Sequence, residues 1–336
     1  MRLPEPSGAL SSQVIDALKC PAAVGSFPPG PASYEGDCLD DADFQLALWV
    51  LYELHYEGFE DCDEEWEWHP ASVAYLRALE TVFLDALRAA GPIPATAPDA
   101  PMHERIETLV AAVPGADMAR YMQREATLEQ YREYLKIKSV YHHKESDPQS
   151  FVLARLRGVP KVRLAELQYD EYGAGRPDRH HQTLFARTLV EAGLDDAYGF
   201  YLQHAPAPTL ALNNAMSLFA LHRRFRGAAM GHLAAFESTS SIPCRRVAQG
   251  IRRIGLSEAA ADYFDEHIEA DAVHEQLALR DICGGLGDEE PELVGDILFG
   301  AFICCHLEAL DGARLVEAWQ EGRSALRDAD DLVGAA

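Results

Sequence analysis

The stretch YFDEHIEADAVHEQ, residues 263–276, carries the pattern that decides the fold of this chain. It places His267, Asp271 and His274 in the spacing His-x3-Asp-x2-His. Residues at positions i, i+4 and i+7 lie on one face of an α-helix, each about one turn from the next. Two imidazoles and a carboxylate on one face suit non-heme iron, manganese or zinc, although a solvated polar helix face also fits the spacing. The stretch therefore predicts a helix that carries metal ligands.

The charge of the same helix favours a bound metal. Between Ile254 and Leu279 the sequence has no lysine or arginine, and its acidic residues are Glu258, Asp262, Asp265, Glu266, Glu269, Asp271 and Glu275. Like charges four residues apart oppose a helix by roughly a few tenths of a kcal/mol each. A bound polyvalent cation would neutralise this repulsion. We therefore predict a helix that is only marginally stable without metal and becomes ordered when metal binds.

One helix face cannot close a dinuclear site, so further ligands must come from elsewhere in the chain. Glu145 follows a long predicted helix over residues 116–143. Glu171 and His181 stand on either side of a glycine- and proline-containing breaker at residues 173–177, so they belong to consecutive helices that can converge. Shared carboxylates are what two iron ions about 3.5–4 Å apart need to offset their repulsion. These three residues are the predicted partners of the late helix.

The residues alone leave alternatives open at two of these positions. His180 is adjacent to His181 and offers the same imidazole. Asp170 can replace Glu171, and Glu166 lies one helical turn from Asp170.

The rest of the chain predicts an all-α fold. Helical periodicity dominates, and alternating β-branched runs bounded by turn residues are nearly absent. Residues 91–101 contain four prolines, which forbid a helix, so this segment is the best candidate for a linker. We predict an N-terminal helical extension over residues 1–100 that ends in this linker, and a helical core over residues 101–336.

Composition and charge exclude several classes of protein. The formal net charge of −25 argues against binding to nucleic acids or anionic membranes, since both require basic patches. No run of uninterrupted apolar residues approaches the length of a membrane span, and the first residues lack the apolar region of a signal peptide. We therefore expect a cytoplasmic protein. Seven cysteines without a CxxC pair argue against a disulfide framework and against a cysteine-rich zinc or iron–sulfur site.

In chain order, the candidate ligands resemble those of the heme-oxygenase-like diiron oxidases and oxygenases, often described as iron-containing redox enzymes. That family has the ligand order Glu, Glu, His, and then His-x3-Asp-x2-His on a late core helix. The residues that fill this order here are Glu145, Glu171, His181, His267, Asp271 and His274. The intervals between them are similar to those of the N-oxygenating branch. Residues 52–56, 168–173, 231–237 and 266–274 are also similar to family members, and the resemblance spans about residues 42–322.

The resemblance implies a heme-oxygenase-like helical bundle that holds two iron ions and no heme. It implies O₂ as a co-substrate, activated through a peroxo-diiron(III) intermediate, and an external electron donor as a partner. The expected substrate is a small amino acid, amine or carboxylic acid. The expected reaction is N-oxygenation, desaturation or cyclisation, or C–C cleavage, in a biosynthetic pathway of specialised metabolism. The family tends to form homodimers, so a homodimer is expected.

The core also contains candidates for substrate binding and for an extra ligand. We predict one continuous helix over residues 208–237 and a helix boundary at Pro243, because proline lacks the N–H that a helix interior uses. Glu237 is a candidate additional ligand or proton shuttle, and a buried hydrogen-bonded acid is an equal alternative. Three arginines are candidate anchors for a substrate carboxylate, with surface placement as the alternative: Arg223, Arg224 and Arg226.

Four other classes of protein compete with this interpretation. Ferritin-like diiron bundles use Glu-x-x-His pairs, and the sequence contains none. A true heme oxygenase needs a basic surface for heme propionates, which the net charge of −25 disfavours. A thiaminase-like hydrolase needs an activated cysteine, and no cysteine here has an evident activating partner. A non-catalytic acidic helical binding protein is the alternative from a different functional class.

Overall fold

The computed structural model describes residues 1–113, 115 and 117–327, with the backbone but not the side chains of residues 269–272. No β-strand occurs among these residues, so the predicted all-α class is confirmed. The α-helices are α1 (Ala9–Leu18), α2 (Ala42–Glu53), α3 (Pro70–Ala89), α4 (Met102–Ala112), α5 (Met118–Arg124), α6 (Leu128–His142), α7 (Asp147–Leu153), α8 (Gly158–Glu171), α9 (His181–Glu191), α10 (Ala207–Leu221), α11 (Arg226–Arg253), α12 (Glu258–Gln276), α13 (Gly285–Glu289) and α14 (Val294–Gln320). A π-helix (Leu277–Gly284) continues α12, and short 3₁₀ turns occupy Cys38–Asp40, Glu64–Trp66, Gly173–Gly175, Pro177–Arg179, Leu202–His204, Arg223–Phe225 and Pro291–Leu293.

The N-terminal helices and the later helices share one hydrophobic core. Leu46 and Trp49 of α2 belong to the same cluster of buried apolar side chains as Ala215 of α10 and Ile303 of α14. Residues 90–101, between α3 and α4, are non-helical, as the prolines predict. The division of the chain into an extension and a core near residue 100 stays a prediction. Because the apolar cluster is shared, α2 lies against the helices that build the core.

Helices α11 and α14 approach each other closely at two glycines. A β-carbon added to Gly231 would lie 1.9 Å from the carbonyl oxygen of Ile297 on α14. A β-carbon added to Gly300 would lie 1.9 Å from the carbonyl oxygen of Ala228 on α11. Since no side-chain carbon can approach an oxygen so closely, glycine is required at both positions. This contact fixes α11, which carries Glu237, against the core.

One helix is long and apolar enough to cross a membrane by length and composition. It covers Pro291–Gln320, with a mean hydropathy of 1.8 in its most apolar window, and half of that window is buried inside the fold. Core helices of globular proteins often pass the same test. Here α14 packs against α10 and α11, which is the position of a core helix.

Two long predicted helices are interrupted. The predicted helix over residues 116–143 is divided into α5 and α6, because Thr127 accepts a hydrogen bond from the Gln130 N–H and starts a new helix there. The predicted helix over residues 208–237 ends at Leu221. The next residue, His222, is extended and its Nε2 lies 2.6 Å from a carboxylate oxygen of Glu80 on α3. This contact forms only in the folded chain, so the sequence pattern could not reveal it.

The predicted helix boundary at Pro243 is wrong, because α11 continues through this proline. In the turns before it, side-chain hydroxyls bond to carbonyls of the preceding turn. Thr239 Oγ1 donates to the Ala235 carbonyl at 2.8 Å, and Ser240 Oγ donates to the Glu237 carbonyl at 3.1 Å. Packing of α11 against its neighbours outweighs the local preference of proline to end a helix.

Candidate metal centre

The five predicted ligands with described side chains converge in the interior of the helical bundle. Glu145 lies in the turn between α6 and α7, Glu171 ends α8, and His181 begins α9. His267 and His274 lie two turns apart on α12. All five side chains are buried, with between 1% and 5% of their surface exposed. Residues separated by up to about 130 positions in the sequence therefore meet at one place.

Asp271, the sixth predicted ligand, lies on α12 between the two histidines. Its side chain is outside the part of the chain that the structure describes, so its role as a ligand stays a prediction.

A first cluster of ligand atoms comes from four residues. Glu145, Glu171, His181 and His267 each offer one atom within 4.8 Å of the others. His181 Nδ1 lies 2.9 Å from Glu171 Oε2, and His267 Nε2 lies 3.4 Å from Glu145 Oε1. His267 Nδ1 donates to the Tyr263 carbonyl at 2.8 Å, which fixes the ring and directs Nε2 at the cluster. A histidine held in this way by its other nitrogen is typical of a metal ligand.

A second cluster shares one residue with the first. Glu171, Glu237 and His274 also offer ligand atoms within 4.8 Å of one another. His274 Nδ1 lies 3.1 Å from Glu171 Oε1 and 3.6 Å from Glu237 Oε2. The two carboxylate oxygens of Glu171 thus face different clusters, since Oε2 contacts His181 and Oε1 contacts His274. Glu171 is thus shared by the two clusters, and both would use its carboxylate if each held a cation.

A tyrosine hydroxyl orients the other carboxylate of the first cluster. The hydroxyl oxygen of Tyr263 on α12 lies 2.7 Å from Glu145 Oε2 and 2.6 Å from His142 Nδ1. Tyr263 and His142 also line a cavity next to the clusters. The chain His142–Tyr263–Glu145 therefore holds the Glu145 carboxylate in place and can carry a proton between the cavity and Glu145 Oε2.

The electrostatics of the centre are set by carboxylates and imidazoles that are buried together. Burial raises the pKa of Glu145 and Glu171, but neighbouring histidines outweigh it and hold both pKa values well below the usual range. Burial lowers the pKa of His274, but the Glu171 and Glu237 carboxylates raise it to about 11. Burial raises the pKa of Glu237 despite its contact with His274. The Glu171 and Glu237 carboxyl groups thus favour a positive charge at His274, and a bound cation would compete with a proton for this position.

The donor set fits iron. The described residues supply three carboxylates and three imidazoles, and no thiolate is among them. Three imidazole nitrogens contact carboxylates, namely His181 Nδ1 and both ring nitrogens of His274. None of the three forms a hydrogen bond of good geometry with a described residue. Nitrogen and carboxylate oxygen donors that face an enclosed space are the ligands of non-heme iron. These side chains are therefore suited to binding iron.

The structure decides between the alternatives that the sequence left open. His181 is 2% exposed and lies in the first cluster, whereas the neighbouring His180 is half-buried beside the Tyr172 ring. Glu171 is buried in both clusters, whereas the Asp170 side chain is 46% exposed and reaches only within 3.6 Å of His274 Nε2. Glu166 is exposed and paired with an arginine on its own helix.

The structure supports the surface alternative for the arginines, because Arg223 and Arg224 are exposed. None of the three arginines Arg223, Arg224 and Arg226 lines the cavity beside the clusters. Arg226 pairs with Glu290, and Arg224 stacks on the Phe225 ring. The sequence pattern could not tell a basic cluster at the end of a helix from one that faces a cavity.

The self-repulsion predicted for α12 is relieved by arginines from outside the helix. Arg179 pairs with Asp262 and Glu266, and Arg252 of α11 lies 2.5 Å from Asp265 Oδ2. The prediction that α12 is marginal without metal counted charges on α12 alone. Counter-charges for these acidic residues are present in the fold, and the marginal stability of α12 without metal stays a prediction.

A cavity of about 310 Å³ opens beside the first cluster. Glu145, His267 and Tyr263 line this cavity together with apolar side chains such as those of Leu212 and Phe236. The volume is that of a small-molecule site. The cavity therefore gives a small substrate access to the predicted ligands.

The cavity contains a basic residue that the sequence pattern did not single out. Lys138 on α6 lines it, and its ammonium nitrogen lies 3.1 Å from Asp311 Oδ2 and 3.6 Å from Glu308 Oε2, both on α14. Burial lowers the pKa of Lys138, but the Glu308 and Asp311 carboxylates outweigh it, so the ammonium stays protonated. No helical spacing relates Lys138 to Glu145, because α6 ends at His142 and Glu145 lies in the turn that follows.

The fold and the site define a class, that of all-α proteins with a buried carboxylate–histidine centre of the type that binds iron. Residues 132–309 match the family described as iron-containing redox enzymes, which is more than half of the 336-residue chain. The chain belongs to this family, and the resemblance to heme-oxygenase-like iron enzymes is confirmed. The family is one of redox enzymes, and the chain has its heme-oxygenase-like helical fold.

The chain is also similar to a nitrosourea synthase of Streptomyces achromogenes subsp. streptozoticus. The two are 34% identical over 133 residues, which is 38% of this chain and 28% of the synthase. The match thus spans well under two thirds of that relative.

Proposed function

We propose that the protein is an O₂-dependent non-heme diiron oxidase or oxygenase. The observation that carries the proposal is that Glu171 belongs to both clusters of ligand atoms. His181, His267 and Glu145 would complete one iron site, and His274 and Glu237 would contribute to the other. Asp271 lies on the same helix as His274 and is proposed as a further ligand of the centre.

The residues of the chain position the reaction around this centre. When bound, the iron supplies the electrons that reduce O₂ and the oxidising power that acts on the substrate. Tyr263 holds the Glu145 carboxylate and connects it to His142 at the cavity wall, so protons can reach Glu145 Oε2 from the cavity. The buried apolar surroundings limit the access of water, which protects the reaction from side reactions.

The cavity favours an α-amino acid over the other expected substrates. Lys138 and Glu308 line the same cavity, with their charged atoms 3.6 Å apart. Lysine has three donors, and Asp311 accepts one of them, so the ammonium of Lys138 can still bind a substrate carboxylate. Glu308 can bind a substrate ammonium. A fatty acid would leave Glu308 facing an apolar chain, and a simple amine would make no use of the remaining Lys138 donors.

The same geometry sets the orientation of the substrate. Lys138 lies on α6 and Glu145 in the turn after α6, and both side chains line the cavity. An amino acid held at its head group by Lys138 and Glu308 would extend its side chain towards the first cluster. The reacting group is therefore proposed to lie at the end of a long side chain. A nitrosourea contains oxidised nitrogen, so the relative's name favours oxidation of a side-chain nitrogen over desaturation or C–C cleavage.

The test is the reaction of iron-loaded protein with O₂. Metal-free protein is loaded anaerobically with two equivalents of Fe²⁺ and mixed with O₂ in the presence of amino acids, amines and fatty acids of graded length. We expect O₂ consumption that a long-chain amino acid accelerates and that is lost in the Glu171→Gln variant. Absence of O₂ consumption with every compound, although iron is bound, would refute the oxidase. Acceleration by a fatty acid alone would refute the amino-acid assignment.

A further inference from the structure

Lys144, the residue before Glu145, is buried to an extent that is unusual for a lysine. Only 1% of its surface is exposed, and lysines are rarely buried unless they are paired. Its ammonium nitrogen lies 3.2 Å from Glu53 Oε2 and sits over the rings of Trp49 and Tyr56, at 4.6 and 4.4 Å from their centroids. All three partners belong to α2 or to the segment directly after it. The side chain next to a predicted metal ligand is thus held by the N-terminal part of the chain.

The carboxylate that binds Lys144 is itself fixed. Glu53 has no exposed surface, and its Oε1 accepts a hydrogen bond from the Tyr198 hydroxyl at 2.8 Å. The Tyr56 hydroxyl lies 3.0 Å from Ser217 Oγ on α10. The Glu53–Lys144 pair is therefore a rigid ionic contact inside the protein.

Glu145 lies on a short turn, residues 143–146, whose backbone is set by tertiary contacts. Ser146 has a φ of +68°, in the left-handed region that residues other than glycine seldom adopt. Its carbonyl accepts a hydrogen bond from Gln168 Nε2 of α8 at 2.7 Å. The Lys144 N–H donates to the Tyr141 carbonyl at 2.8 Å. A conformation of this kind persists only when its surroundings enforce it, and the Lys144 side chain is one of the enforcing contacts.

We propose that the Glu53–Lys144 pair is a positioning contact by which the N-terminal extension holds Glu145 in the metal centre. The proposal rests on the proposed binding of iron. Without the Glu53 carboxylate, the ammonium of Lys144 would be buried without its ionic partner, and the turn over residues 143–146 would move to let it reach water. Glu145 would move with it. This role belongs to α2, which lies outside residues 132–309 that match the family.

The effect is confined to one of the two clusters. Glu145 contributes to the cluster with His181 and His267, whereas the cluster of Glu171, Glu237 and His274 does not include it. Loss of the Glu53–Lys144 pair should therefore weaken one iron position and leave the other intact. General destabilisation of the fold would weaken both positions alike, so the two causes are distinguishable.

The first test uses hydrogen exchange in the metal-free protein. The Glu53→Gln variant removes the charge and retains an oxygen for Tyr198. We expect faster amide exchange in the segment over residues 141–150 than in the wild-type protein. The matched control is Glu80→Gln, because Glu80 is also a buried carboxylate of the extension, 1% exposed and paired with Arg77 and His222. Unchanged exchange over residues 141–150 in Glu53→Gln, or an equal increase in Glu80→Gln, overturns the proposal.

The second test measures iron in the same variants. With two Fe²⁺ in the wild-type protein, Glu53→Gln should bind one ion with wild-type affinity and the other at least about tenfold more weakly. Wild-type affinity at both positions in Glu53→Gln overturns the positioning role. A wild-type protein that binds no iron overturns the proposed function, and the positioning role with it.

Discussion

The shared carboxylate gives the most decisive prediction, because Glu171 is the one described residue present in both clusters of ligand atoms. Two divalent ions about 4 Å apart repel each other by roughly 15–20 kcal/mol at an effective dielectric constant of about 20. The described carboxylates that offset this repulsion are Glu145, Glu171 and Glu237, and only Glu171 faces both positions. The Glu171→Gln variant keeps the shape of the side chain and removes its charge from both. We therefore expect it to lose both iron ions.

Substitutions of residues that belong to one cluster should behave differently. His181→Ala removes a ligand only from the first cluster, and His274→Ala removes one only from the second. Each of these variants should retain about one iron ion per chain, under conditions in which the wild-type protein binds two. A site held at about 100 times its Kd stabilises the fold by about 2.7 kcal/mol. The thermal stabilisation by iron should therefore be reduced in the histidine variants and absent in Glu171→Gln.

The assay is anaerobic titration with Fe²⁺, followed by desalting and measurement of iron per chain, with circular dichroism to show that each variant is folded. Retention of two iron ions by folded Glu171→Gln would refute the bridging role. Loss of both ions from His181→Ala or from His274→Ala would refute the division of the ligands into two positions. Either result would require a different assignment of the buried carboxylates.

Three further predictions concern the cavity, the pH dependence of stability and the packing. Lys138→Met should raise the KM of an amino-acid substrate about tenfold or more with little change in kcat, and a fall in kcat at constant KM would contradict its role as an anchor. Burial lowers the pKa of His232 to about 4, against about 6.5 in the unfolded chain. The free energy of unfolding is therefore unaffected by this histidine above about pH 6.5, and it decreases by about 3 kcal/mol as the pH falls to 4. In urea unfolding, the His232→Gln variant should lose less stability than the wild-type protein between pH 6.5 and 4. The same pH dependence of the free energy of unfolding in both proteins would contradict this prediction. Gly231→Ala places a methyl group 1.9 Å from the Ile297 carbonyl oxygen and should destabilise the protein by about 1–3 kcal/mol or more in thermal unfolding. Gly295→Ala, with no atom within 4 Å of the added carbon, is the matched control and should be neutral.

The sequence by itself determined the fold class and most of the candidate site. The spacing of His267 and His274 is a local property, because helical geometry places positions i and i+7 on one face whatever the helix packs against. Glu171 and His181 were found because a breaker between them allows two consecutive helices to converge. The order of these residues along the chain was enough to indicate the family.

Only the tertiary structure decided which atoms meet. The choice of His181 over His180, and the exposure of Asp170, depend on how α9 packs against α12 and how α8 packs against the π-helix that continues α12. The placement of Lys138 in the cavity depends on carboxylates of α14, more than 160 residues later.

The same holds for the contact between Glu53 and Lys144, which are 91 residues apart. The physical reason is that local patterns record the period of one helix, whereas contacts between helices depend on the packing of the whole chain, which no short stretch of sequence specifies.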